Sequence, residues 1–260
     1  MSPLLPSPAP PPPGEVLVCA LEIPRALPPE LASRLRALLP DDERARHDRF
    51  SHAGAGAEYL CGRALLRSSL STWAEVPTHA WRLALNAHGR PSVSAPHRAP
   101  AVHFNLSHTR GMVVLALGLD PKVGVDVEHL ARTVDPLEIA DRFFSTTETA
   151  DLRALPAARH LDRFLALWTL KEAYIKARGM GLALPLQDFT FTPDAAPPRV
   201  RFDPSLGDDH DAWRFWRSDL PSGHRVAVAA RVARLDVRVA RVDLEALARG
   251  LGLPHNPGAV

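Results

Sequence analysis

Apolar side chains recur along the chain with two different periods, and each change of period marks an element. Residues 15–22 (EVLVCALE) alternate well enough for a first strand. Residues 28–49 carry helical spacing and a strongly charged face built from Asp41, Asp42, Glu43, Arg44, Arg46, His47 and Arg49. The stretch 58–70 (EYLCGRALLRSSL) reads as a helix, with Arg63 and Arg67 at i, i+4 and therefore on one side of it. Two arginines so placed can hold a phosphate or can line a solvated face. His88-Gly89-Arg90-Pro91 reads as a turn, since glycine accepts unusual dihedrals and proline restricts the residue before it. Strand-like segments follow. In 102–107, Val102, Phe104 and Leu106 alternate with His103, Asn105 and Ser107, and the polar row ends beside His108. Residues 111–119 form the longest apolar run and predict a buried partner strand, closed by the turn Asp120-Pro121.

Beyond that turn, Val123-Gly124-Val125-Asp126-Val127-Glu128 has period two, which sends the valines to a core and both carboxylates to the opposite face. Residues 164–178 (FLALWTLKEAYIKAR) predict the clearest helix, ended by Gly179 and Gly181. Trp168, Glu172 and Lys176 stand at successive i+4 positions, so an acid and a base share one stripe. Strands are expected over 189–192, 225–232 and 237–242, with a short helix after Asp243. Two carboxylates on one strand face and a third on a helix suit a hard divalent cation such as magnesium, which takes a few oxygen ligands and keeps sites for water and phosphate. Asp-x-Glu alone is a weak signal, because exposed strand faces often carry it. The order in which the features follow one another is the stronger one.

Composition narrows the classes. The 260 residues, 46% apolar and 23% charged, describe an ordinary globular chain of one large domain or two modest ones. No apolar run approaches the roughly 20 residues that span a bilayer, and the N-terminus lacks the pattern of a signal peptide, so a soluble, cytoplasmic protein without a membrane role is expected. A formal charge of +2 and the absence of interleaved aromatics and recognition motifs argue against nucleic acid. Cys19 and Cys61 are too few for a disulfide framework and read as small buried hydrophobes. Residues 1–14 are proline-rich and read as a disordered tail. Basic residues are nearly all arginine, the lysines being only Lys122, Lys171 and Lys176. Two lysines five apart in one helix therefore suggest a local demand for a compact ammonium group.

Gly89-Arg90-Pro91, Phe104-Asn105-Leu106-Ser107-His108, Gly124-Val125-Asp126-Val127-Glu128, Arg142-Phe143-Phe144-Ser145-Thr146-Thr147-Glu148 and Trp168 to Gly179 follow one another in an order that resembles the 4'-phosphopantetheinyl transferase superfamily, specifically its surfactin-type group with two halves in one chain. The resemblance runs from about Asp41 to Phe191. It implies an α+β fold made of a pseudo-twofold pair of similar subdomains with the active site in the cleft between them. Residues 15–120 would form the half on the nucleotide side and residues 121–260 the half with the metal site. It implies a monomer, since one chain supplies both halves. The implied reaction moves phosphopantetheine from coenzyme A to a serine of an apo acyl- or peptidyl-carrier protein and releases adenosine 3',5'-bisphosphate.

By the same resemblance Asp126, Glu128 and Glu172 are the Mg2+ ligands, Glu172 deprotonates the serine directly or through water, and Lys176 contacts the pyrophosphate. Gly89, Arg90, Pro91, Ser107 and His108 match the segment around the adenine and the 3'-phosphate, and Arg46 matches an upstream basic contact. The chain departs from the surfactin-type pattern at two basic positions, where it has Glu58 and Glu43, and Arg63 is the expected substitute. Two alternatives share many of these features: a magnesium-dependent nucleotide phosphohydrolase, with water as nucleophile, and a non-catalytic homologue that binds carrier proteins.

Overall fold

In the computed structural model of the protein, residues 10–74, 76–96 and 102–249 are described. They divide into two compact units, one of residues up to Pro121 together with those from Asp236 onward, the other Lys122–Leu235. Of the expected N-terminal tail, residues 1–9 lie outside the described residues. Among the described residues no helix is long and apolar enough to cross a membrane.

The first unit opens with β1 (Glu15–Glu22), followed by α1 (Pro29–Ala37), α2 (Asp41–His47) and the long α3 (Ala53–Trp73). The single helix expected over 28–49 is thus two. Pro40 stands at the break, in extended conformation as the residue before α2, because proline has no N–H to continue a helix begun at Pro29. Then come the hairpin β2 (Arg82–Leu85) and β3 (Pro91–Ala95), and the pair β4 (His103–Thr109) and β5 (Met112–Gly118). Asn86 shapes the hairpin turn, its Oδ1 accepting from the backbone N–H of His88 and of Arg90, while Gly89 takes φ +82° as the expected turn requires. β5 is buried throughout, as its apolar run demands.

The second unit starts with β6 (Val123–His129), then α4 (Pro136–Phe143), α5 (Thr146–Ala154) and α6 (His160–Arg178). Asp135 caps α4 by accepting from the N–H of Leu137 and Glu138, and Ser145 with Glu148 forms a reciprocal capping box at α5. Gly179 ends α6 in the left-handed region at φ +68°. After it follow the hairpin β7 (Phe189–Thr192) and β8 (Arg199–Phe202), then β9 (Arg214–Leu220) and β10 (His224–Ala230). The sheet order is β6-β10-β9, all antiparallel, and α6 packs across β6 and β10.

The chain then returns to the first unit as β11 (Asp236–Val242) and α7 (Leu244–Ala248). β11 pairs in parallel with β1, giving the sheet β11-β1-β5-β4. The expected boundary at Asp120-Pro121 lies beside the observed one, but the second unit ends at Leu235 and not at residue 260. The reason is that β1 has a free edge after pairing with β5, and a distant strand satisfies its backbone groups. Each unit mixes a sheet with helices, in keeping with the expected α+β class.

Candidate active site

Two packed elements of the second unit, β6 and α6, carry the expected acid set. Asp126 and Glu128 share a face of β6 with Gly124, and Glu172 and Lys176 stand one turn apart on α6. That face is covered by the helix, so both carboxylates are buried, at 4% and 8% exposure. Gly124 is what lets the helix lie so close. A Cβ there would stand 2.1 Å from the Ala173 carbonyl oxygen and 2.4 Å from the Ala177 nitrogen, backbone atoms that no rotamer change can move aside. Helix and strand therefore meet backbone on backbone at Gly124, two residues from Asp126. Lys176 Nζ in consequence donates to Asp126 Oδ1 at 2.6 Å.

The carboxylates are short of compensation. Burial first, and the charge of Asp126 second, push the Glu128 carboxyl up to about 7, against opposing pulls from Arg132 and Lys176. The same two causes, burial and then Asp126, raise Glu172. Arg132, one turn past Glu128, pairs with it. Trp168 hydrogen-bonds to Glu128 as well. Among the described residues no three His, Cys, Asp or Glu side chains are drawn together in ligand geometry. The donor set fits a hard divalent cation nonetheless. Its groups are oxygen donors only, and their mutual repulsion is what such a cation relieves. Gly124, Arg132 and Trp168 were not singled out as site residues from the sequence. Trp168 had been visible on the Glu172 stripe, while the part played by Gly124 depends on a contact between elements distant in sequence.

Lys171, beside Glu172 in sequence, faces the other way. Its ammonium is fully buried and spends its three donors on Glu148 Oε2 (2.7 Å), the Leu186 carbonyl (2.7 Å) and the Phe189 carbonyl (2.6 Å). It lies 4.3 Å from the Phe189 ring centroid. Burial lowers it to about 8. Here the compact ammonium has a structural reason, since arginine's planar fork would not fit three convergent acceptors.

The basic residues expected at the nucleotide end lie in the first unit. Arg46, Arg63, Pro91 and His108 line one cavity of about 310 Å³, together with Phe50, Glu58, Tyr59, Leu66, Phe104 and Asn105 among others. Arg46 and Arg63 each place a guanidinium carbon 5.5 Å from the Tyr59 ring centroid. Arg67, the i+4 partner of Arg63, turns away. Its Nε donates to Glu43 Oε2 at 2.7 Å and its Nη1 to the carbonyls of Thr78 and Trp81, all within the core. Glu43 also stands 3.7 Å from Arg63 Nε. Gly89, Arg90 and Ser107 are not in the cavity lining. Ser107 is buried on β4, and burial lowers the pKa of the Arg90 guanidinium.

Residues 122–229 match the 4'-phosphopantetheinyl transferase superfamily, and residues 28–118 match the N-terminal region of 4'-phosphopantetheinyl transferases. The chain is 31% identical over 210 residues to the 4'-phosphopantetheinyl transferase Sfp of Bacillus subtilis, which covers 79% of this chain and 88% of that protein. It is 34% identical over 161 residues to the 4'-phosphopantetheinyl transferase HetI of a Nostoc species, covering 62% and 68%. It is 29% identical over 216 residues to the human L-aminoadipate-semialdehyde dehydrogenase-phosphopantetheinyl transferase, covering 76% and 68%.

Proposed function

Because the chain belongs to the 4'-phosphopantetheinyl transferase superfamily and is an enzyme of that type, we propose that it carries phosphopantetheine from coenzyme A to a serine of an apo acyl- or peptidyl-carrier protein, in a magnesium-dependent reaction that releases adenosine 3',5'-bisphosphate. The observation that carries the reading is the convergence of Asp126, Glu128, Glu172 and Lys176 between β6 and α6. Attack on a phosphoanhydride needs an activated hydroxyl and neutralised phosphate oxygens, and little else from a protein. Asp126, Glu128 and Glu172 would hold a magnesium ion, whose contribution is to withdraw charge from the diphosphate oxygens.

The residues of the chain divide the remaining work. Glu172, raised by burial and by its neighbour Asp126, takes the proton from the carrier serine, whose oxygen forms the new bond to phosphorus. As the phosphorus–oxygen bond to the nucleotide breaks, the leaving phosphate gains charge, and the Lys176 ammonium stabilises it. Asp126 holds that ammonium at 2.6 Å until substrate arrives. Arg46, Arg63, Pro91 and His108 receive the phosphorylated nucleotide of coenzyme A, with Gly89, Arg90 and Ser107 shaping the segments that present Pro91 and His108.

Mass measurement of an apo carrier protein incubated with this chain, coenzyme A and magnesium tests the reading. Gain of one phosphopantetheine group, lost on omitting coenzyme A or magnesium, is expected. Coenzyme A hydrolysed with the carrier unchanged would replace the proposal with the phosphohydrolase. Carrier bound but unmodified would replace it with the non-catalytic homologue.

A further inference from the structure

The cavity of the first unit contains one charge of the wrong sign. Its lining holds three basic groups, Arg46, Arg63 and His108, and among them the carboxylate of Glu58. Glu58 Oε2 stands 2.8 Å from His108 Nδ1, with the Glu58 side chain 21% and the His108 side chain 51% exposed. The pair thus borders solvent at a cavity whose two guanidinium groups lie over the Tyr59 ring. Glu43, the second acid near this set, is fastened to Arg67 in the core and is not in the lining. Glu58 instead pairs with half-exposed His108 and comes from the same helix as Tyr59 and Arg63.

We propose that Glu58 is an internal counter-ion that the terminal phosphate of the nucleotide must displace from His108, so that this residue sets how strongly the enzyme prefers a phosphorylated over a dephosphorylated nucleotide. The proposal rests on the reading that this cavity takes the nucleotide end of coenzyme A. A carboxylate hydrogen-bonded to His108 occupies a donor that a phosphomonoester dianion would use. Left in place, it also repels that dianion across a few ångströms, an interaction of about 1 kcal/mol at 4 Å even in bulk water. The contact is a like-charge penalty specific to ligands with a charged terminus. A ligand without that phosphate meets no penalty, so Glu58 narrows the difference between the two. The basic groups and the acid work against each other by design of the pocket, and removing the acid should release the full preference.

Calorimetric titration of the full chain with coenzyme A and with 3'-dephospho-coenzyme A, carrier protein omitted, provides the test. Glu58→Gln keeps the shape of the side chain and removes its charge. Tighter binding of coenzyme A, roughly fivefold for a penalty of that size, with dephospho-coenzyme A unchanged within about twofold, is the expected result. A gain in affinity cannot arise from misfolding, and Glu58→Ala, which should show the same selective gain, serves as second variant if Glu58→Gln does not fold. Equal gains for both ligands, or no gain for coenzyme A, would overturn the proposal. Arg63→Ala separates the two levels of inference. If it weakens coenzyme A selectively while Glu58→Gln brings no gain, the cavity assignment stands and the role of Glu58 falls. If Arg63→Ala leaves coenzyme A binding unchanged, the cavity assignment fails and takes the role of Glu58 with it.

Discussion

Lys171 and Glu172 are neighbours in the chain and opposites in the structure. On one face of α6, Lys171 closes with Glu148 and two carbonyls into a set in which every ammonium donor has an acceptor. Glu148 in turn accepts from the backbone N–H of Ser145 and of Phe191. On the other face, half-buried Glu172 joins the buried Asp126 and Glu128 in a set in which the charge of Asp126, after burial, raises the pKa of both glutamates. Both regions bury charge, and they do so for different ends. A buried ion with all partners supplied joins α5, α6 and β7 and asks for no ligand. A buried set left with excess like charge is unfavourable until something of opposite sign arrives, and such sets are characteristic of sites that bind or react.

The contrast predicts opposite outcomes from one-residue changes. Lys171→Met strands the Glu148 carboxylate in the core, and breaking a buried pair in this way costs about 3 to 5 kcal/mol. Urea unfolding should show that loss, while turnover per folded molecule stays within about threefold of the parent. Adding Glu148→Gln should recover much of the stability, because the unpaired charge is gone. A turnover collapse in a fully folded Lys171→Met chain would show that the two faces are not separate.

Across the helix the signs reverse. Glu172→Gln removes the proton acceptor and one of three repelling acids, so turnover should fall by roughly 10² or more, the scale of losing a major contributor to the transition state. Unfolding free energy should hold or rise. The same rate loss is expected for Asp126→Ala at saturating magnesium. Steady-state rates paired with urea curves on the same samples decide this, and a Glu172→Gln chain that is both active and unstable would contradict the division. Lys176→Ala sharpens the point with a smaller effect. If the ammonium answers charge developing on the leaving phosphate, kcat should drop about tenfold along with kcat/KM. A raised KM for coenzyme A at unchanged kcat would assign Lys176 to ground-state binding.

Much of this contrast was legible along the chain, and the missing part is physical in origin. Period two in 123–128 and the i+4 spacing of Glu172 and Lys176 are local properties, so the acids and the base could be named before any fold was known. Ser145 and Glu148 entered only within a run that carries the family resemblance, and nothing local says that Glu148 Oε2 also receives Lys171. Gly124 looks like any strand glycine until α6 is laid on it, since the contact joins residues some fifty positions apart. The parallel pairing of β11 with β1 is hidden for the same reason: the pattern in 237–242 predicts a strand but carries no address for its partner. The valines of β6 are buried as expected, and the opposite face with the two carboxylates is buried as well, which alternation of polar and apolar residues does not announce.

A third kind of buried titratable group completes the contrast, one that is neutral when buried and becomes costly only when pH forces a charge on it. Cys19 and Cys61, both in the core of the first unit, are pushed by burial from the ordinary thiol value of 9.0 up to about 12. A raised folded-state value means that the native chain keeps its protons where the unfolded chain has lost them. The resulting stability is fully present below pH 9 and drains away as pH climbs towards 12. One pH unit above the unfolded value is worth about 1.4 kcal/mol per thiol. Replacing both with alanine leaves small cavities whose cost does not depend on pH, so the variant serves as its own reference. Urea unfolding at pH 8 and pH 10 should show the parent's advantage over Cys19→Ala/Cys61→Ala shrinking by about 1 to 3 kcal/mol at the higher pH. An advantage that stays constant between the two would mean that the thiols ionise as readily in the folded chain as in the unfolded one, and that this core tolerates charge far better than the closed set around Lys171 implies.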